Sequence, residues 1–255
     1  QRNFPLYAGE LDPTTLAALD TGYDFLDDCA DELLDILSDD FYVTALQGDA
    51  WTNDDLLGAL GGADFDVFST NAHYDFEALL PAAADAAATY TDADLVTTSD
   101  FDETNTPVDA LGFVVGCHAG LSMSDVQLGL TTLDWAQLYS RTSTQWLAHT
   151  TFGYGDSDLV AYSERLASVF AGKVAEMKTG APGAPLSLGQ ALREGKQDFL
   201  GGTVVLTPYD EKVMQSWTYY GMPMFTLGDD VPEIPETQSS TSSTPTGFAA
   251  TSSLF

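Results

Sequence analysis

Gly112-Phe113-Val114-Val115-Gly116 runs directly into Cys117-His118-Ala119-Gly120. Upstream, Asp66-Val67-Phe68-Ser69-Thr70 runs into Asn71-Ala72-His73. Each is a short apolar run that stops at a turn-forming cluster, the pattern of a buried strand. As parallel strands of one sheet, they put Cys117 and His73 just beyond two carboxyl ends, where open α/β sheets carry their functional sites. A thiol is a nucleophile as the thiolate, and an imidazole is the usual base that makes one.

Outward from these runs, helical and strand patterns alternate. Residues 24–38 have a helical period, Phe41–Leu46 is rich in strand formers, and Thr52–Leu60 reads as a short helix capped by Thr52. An Ala-rich stretch at 82–88 is expected to be helical, Leu95–Thr98 a strand, Thr132–Tyr139 a helix and Gln145–Thr151 extended. Leu159, Tyr162, Leu166, Phe170, Val174 and Met177 recur at three- and four-residue steps, and Gly180 ends that helix. Ser187-Leu188-Gly189-Gln190 opens another as a capping box, running to about Leu200. A short helix at Asp210–Thr218 and a final strand at Met224–Leu227 complete the expectation, while 4–20 has no clear pattern. Strands alternating with helices indicate an α/β fold with a mostly parallel, helix-covered sheet. The 44-residue spacing from His73 to Cys117 fits one crossover plus a hairpin-like insertion.

Composition bounds the partners. Eight Lys+Arg against 39 Asp+Glu leave a net charge of −31, which repels nucleic-acid phosphates. At 44% apolar residues the chain is too hydrophobic for a disordered acidic tail, so the reading is a folded, salt-adapted (halophilic) surface screened by cations. A surface that gathers divalent cations such as calcium is the second reading. No stretch reaches the roughly 18 apolar residues of a membrane span. The chain starts at Gln1 without a signal-peptide pattern and is read as processed or excised. From Asp229 the chain turns rich in Ser, Thr and Pro. The expected division is therefore a domain over 1–228 and, over 229–255, a linker or the start of a following domain of a larger protein.

The two cysteines, Cys29 and Cys117, make no disulfide scaffold. Cys29 lies on the apolar face of a helix and reads as a small buried hydrophobe. Cys117 is flanked by Gly116 and Gly120, which let backbone N–H groups approach a substrate, and its own N–H can face an oxyanion; the bland alternative is a buried strand-end residue. Of the histidines, His118 is adjacent to Cys117, so its side chain diverges and at most shapes a pocket. His149, inside Trp146-Leu147-Ala148-His149, suits a hydrogen-bonded core or pocket wall. His73 is the base candidate, because neighbouring strands run about 5 Å apart and their ends meet. Cys117, His118 and His73 lack zinc-ligand spacing, and neither a phosphate loop nor a Gly-x-Ser-x-Gly elbow occurs.

Several stretches together resemble the gingipain-like cysteine peptidases of the caspase-fold group: Ser69-Thr70-Asn71-Ala72-His73, Val115–Ser122, Gly153-Tyr154-Gly155-Asp156, Gly189-Gln190-Ala191-Leu192 with Lys196, and Tyr220-Gly221-Met222-Pro223-Met224. The resemblance implies a caspase-like three-layer α/β sandwich around a mostly parallel, roughly six-stranded sheet. It also implies a Cys/His dyad, with Cys117 as nucleophile and His73 as the base that protonates the leaving amine. Oxyanion donors are then the Cys117 N–H and an N–H near His73, with Gly116, Ala72, Tyr74 and His118 around them. Tyr74 stands where such enzymes often have Gly. The loop at 150–158 is implied to form the specificity pocket, with His149, Tyr154, Asp156 and Asp158; acids there favour a basic substrate side chain, although Asp156 also suits a helix N-cap. Relatives are commonly secreted or surface-bound, act on proteins or peptides, require no cofactor and sometimes carry calcium. A catalytically silent caspase-like module with a binding or structural role is the alternative from another functional class.

Overall fold

The computed structural model describes residues 27–38, 45–46, 48, 50–62, 65–87, 90–124, 132–156 and 159–227. Most of the expected strand Phe41–Leu46, all of 4–20 and the linker 229–255 lie outside them. Along the chain run α1 (Asp27–Ser38), α2 (Asn53–Gly61), β1 (Val67–Ser69), β2 (His73–Tyr74), β3 (Ala78–Leu80), α3 (Ala82–Ala86), β4 (Val96–Thr97), β5 (Leu111–Phe113), α4 (Trp135–Ser140), β6 (Gln145–His149), α5 (Tyr162–Thr179), α6 (Leu188–Gly201), α7 (Pro208–Ser216) and β7 (Trp217–Tyr220).

The fold is mixed α/β. Its main sheet has, among the described residues, four strands in the order β1-β5-β6-β7. The first three are parallel and β7 is antiparallel to β6. Every residue of β1, β5 and β6 is buried, as parallel strands covered on both faces must be. Between β1 and β5 a second, antiparallel sheet β2-β3-β4 is inserted, the hairpin-like insertion expected from loop spacing.

Helices cover both faces of the main sheet. On one, Tyr139 of α4 packs against Trp146 and Phe68, with ring centroids 4.5 and 5.4 Å apart. On the other, Phe170 of α5 meets Phe113 and Trp217 edge-on at 5.6 and 5.5 Å. Each large side chain so buried contributes about 1.5–3 kcal/mol. Helix α5 buries Leu166, Phe170, Val174 and Met177 and ends at Gly180, whose φ of 63° is left-handed. Leu159, the first residue of the expected stripe, lies before the helix and is exposed. Helix α1 buries Cys29, Leu33 and Leu37 at four-residue steps and packs on α5.

At the C-terminal end the structure corrects the sequence reading. The helix expected over Asp210–Thr218 stops at Ser216, and Trp217–Tyr220 is a strand instead. Non-local forces decide this: Trp217 pairs with His149 across β6, and its indole N–H donates to the Val114 carbonyl at 3.0 Å. Met224–Leu227 is no strand. The segment lies across the start of α6, where the Pro223 and Phe225 carbonyls accept from the N–H groups of Gly189 (2.9 Å) and Leu188 (2.8 Å). Those first-turn donors have no partner within a helix.

Candidate active site

The pairing of β1, β5 and β6 levels Ser69, Phe113 and Leu147. Four residues beyond the first two stand His73 and Cys117. Past the last paired rung the two exits remain joined: the Asn71 Oδ1 accepts the Val115 N–H at 3.1 Å, and its Nδ2 donates to the Ser69 hydroxyl at 3.0 Å. The loops then interlock. A methyl group at Gly116 would lie 2.4 Å from the Tyr74 ring and 3.0 Å from the Ala72 carbonyl oxygen, so only glycine admits this approach. Both chain neighbours of His73 therefore touch the residue before Cys117. His73 itself is half-buried in β2, opposite Leu80.

Cys117 sits half-buried in a turn fastened to the β6 side. The N–H groups of His118 and Gly120 donate to the Thr151 and His149 carbonyls at 2.7 and 2.8 Å. The Trp146 indole N–H and the Tyr220 hydroxyl hold the Ala119 and Gly120 carbonyls at 2.9 and 2.5 Å. His118 takes φ of 55°, the left-handed region rare for a non-glycine residue. Its ring meets Phe152 edge-on at 4.7 Å, and its Nδ1 is buried without a partner. The next loop crosses over the Val115–Gly116 peptide, where a methyl group at Gly153 would come 1.9 Å from the Val115 oxygen. The Cys117 thiol points to the Gly153 carbonyl, with Sγ 3.9 Å from the oxygen.

Burial pushes the Cys117 thiol up from its ordinary value, against the pull of backbone hydrogen bonds at Gly153 and at Cys117 itself. The resting thiol is therefore neutral, and a base has to take its proton for it to attack. Tyr74 is buried: its ring packs edge-on against Trp135 at 5.5 Å, its hydroxyl bonds to Thr70, and burial raises its pKa. The Tyr74 side chain thus belongs to the core beneath the loops. His149 resolves to the core alternative rather than the pocket wall. It is fully buried, its Nδ1 is 2.8 Å from the Ser216 hydroxyl, and burial followed by the Lys196 charge drives its pKa down to about 3. It stays neutral and has no surface for a substrate.

Tyr154 is half-buried beside Gly153, its ring 5.1 Å from that of Tyr209 and its N–H bonded to the Ser163 hydroxyl. Asp156 is half-buried further along the loop, and Asp158 lies outside the described residues. The N-cap expectation for Asp156 is corrected: the helix begins at Tyr162, Ala161 is the cap residue, and Glu164 accepts its N–H at 3.2 Å. The sequence reading missed Asn71, Phe152 and Lys212, whose ammonium stands 5.5 Å from both the Tyr154 and Tyr209 rings. A polar Asn inside an apolar strand exit was the signal for the first. The other two become visible only through non-local contacts.

Among the described residues no group of three or more His, Cys, Asp or Glu side chains is placed to hold a metal ion, and no helix is long and apolar enough to cross a membrane. No protein-family model and no curated protein matches the chain.

Proposed function

We propose that this protein is a cysteine endopeptidase in which Cys117 attacks the scissile carbonyl and His73 serves as base and then as acid to the leaving amine. The single observation that carries this is the interlock of the two strand exits, in which Gly116 packs between the flanks of His73. The inserted antiparallel sheet after His73 and the antiparallel edge strand β7 support the wider reading of a caspase-like three-layer sandwich with about six strands. The Cys117 N–H and an N–H of the Ala72–Tyr74 stretch are the oxyanion donors in this scheme, and the 150–158 loop walls the substrate side-chain pocket. Protein or peptide substrates and an extracellular or surface setting go with it. None of these steps calls on calcium, which stays open as an ion bound elsewhere on the acidic surface.

The silent-module reading has one observation in its favour, the burial that pushes the Cys117 thiol up from its ordinary value. A peptidyl electrophile separates the two. Under the peptidase reading it labels Cys117 and spares the fully buried Cys29, and Cys117→Ala abolishes peptide hydrolysis while keeping a cooperative melt. Hydrolysis that persists in Cys117→Ala, or an unlabelled Cys117 in a protein that cleaves nothing, overturns it.

A further inference from the structure

We propose that Asn71 is a positioning residue for the Cys117–His73 pair: its side chain extends the β1–β5 ladder by one rung and sets the separation of the two loops. The inference rests on the dyad reading above. Paired backbone between β1 and β5 ends at Ser69 and Phe113. Two residues further on, the fully buried Asn71 takes over, accepting the Val115 N–H while its own amide is oriented by Ser69. Asn71 is two residues before His73, and Val115 two before Cys117.

The far side of the Cys117 loop is held independently. The Val114 N–H donates to the Leu147 carbonyl at 3.0 Å, and the Trp217 indole N–H donates to the Val114 carbonyl at 3.0 Å. These bonds fix Cys117 to β6 and β7, whereas Asn71 ties the His73 side to it. Remove the Asn71 amide, and a buried N–H at Val115 loses its acceptor while the β1 exit loses its polar tie to β5 and is held by packing at Gly116 on that side. Displacing reacting groups by about 1 Å costs on the order of 100-fold in rate. A side chain that serves only to satisfy Val115 carries no such consequence for the thiol.

The test reads the thiol directly. Iodoacetamide alkylation of Cys117, resolved from Cys29 by peptide mapping, is followed against pH. Besides His73, the titratable groups around the turn include His118 on the same loop, the buried His149 of β6, Tyr74 of β2, Tyr220 of β7 and Tyr154 and Asp156 of the overlying loop. In the wild type a reactivity limb at lower pH than that of a free thiol is expected, and it should vanish in His73→Ala. Asn71→Ala should lower that limb about tenfold or more yet keep the high-pH limb of the free thiol. Ser69→Ala, a milder change that removes only the orienting partner and serves if Asn71→Ala does not fold, should lower it less. An unchanged limb in both variants, even with a reduced melting temperature, overturns the inference while leaving the dyad. A limb that His73→Ala does not alter removes the dyad reading and the positioning role with it.

Discussion

Replacing Gly153 by alanine would set a methyl carbon 1.9 Å from a backbone oxygen, which no rotamer change relieves. The loop over Cys117 must then lift. The expected cost is about 1–3 kcal/mol, as for other overpacked sites, together with a changed rate of Cys117 alkylation, because the carbonyl facing the sulfur moves with the loop. A thermal melt and a labelling time course measure both, and a variant with wild-type stability and labelling would contradict the close contact. Cys29→Ala provides the contrast. It removes one buried sulfur from α1, should cost on the order of 1 kcal/mol, and should leave Cys117 chemistry unchanged. At this scale the candidate nucleophile and base were legible, because a chemically distinctive residue after a buried run is a local signal. The Asn71 link was not, since it joins residues 44 positions apart that only the folded sheet brings level.

Among elements, the motifs that carried the family resemblance prove to touch one another. Gly189 at the start of α6 lies against Pro223 of the C-terminal segment; a methyl group there would sit 2.7 Å from both the Pro223 Cβ and its carbonyl oxygen. The Lys196 ammonium donates to the Met214 and Trp217 carbonyls at 2.7 and 2.8 Å, capping α7 as it passes into β7. Gly189→Ala should therefore destabilise: the clash costs about 1–3 kcal/mol, more than the up to ~1 kcal/mol of helix propensity it gains. A melting temperature at or above that of the wild type would sink this account. The helix boundaries at Thr52, Gly180 and Ser187 were readable because caps are local chemistry. Trp217–Tyr220 was not, because β6 and Lys196 override its helical pattern. Repeated Thr-x-x-Asp caps also give the elements a pH response. Thr52 holds the Asp55 carboxyl below the usual carboxylate value, first through its hydroxyl and then its N–H, and Thr91 does the same to Asp94, first through its N–H. These groups bind fewer protons folded than unfolded, so their contribution is complete above about pH 3.9 and is lost as pH falls through the lower folded values. Amide protection in the first turn of α2 should accordingly drop in that acid window in the wild type and show a flatter response in Asp55→Asn.

Across the whole molecule the decisive quantity is the charge of −31. Described cations do little to offset it: Lys196 is committed to carbonyls, Arg165 bonds Thr203 and the Phe199 carbonyl and faces the Phe199 ring, and the exposed Lys212 stands over two tyrosine rings. Among the described residues, pairs such as Lys173 with Glu176 and Asp198, and Arg193 with Glu194, return charge to charge, and largely exposed pairs of this sort contribute about 0–1 kcal/mol. Self-repulsion among the remaining carboxylates opposes the compact state and reaches across the molecule at low salt, where the Debye length is about 30 Å at 0.01 M. It is confined to neighbours when that length shrinks to about 3 Å at 1 M. The melting temperature should therefore climb steadily with sodium or potassium chloride over this range. At about 2–4 °C for each kcal/mol in a chain of this size, relief of a few kcal/mol appears as a rise on the order of 5–10 °C. Calcium chloride discriminates between screening and binding: general screening needs divalent salt at a comparable ionic strength, whereas specific sites saturate at far lower concentration. A rise completed by a small calcium addition would replace the screening account with discrete divalent sites, and a melting temperature indifferent to both salts would show that the acidic groups are too far apart to oppose folding at all.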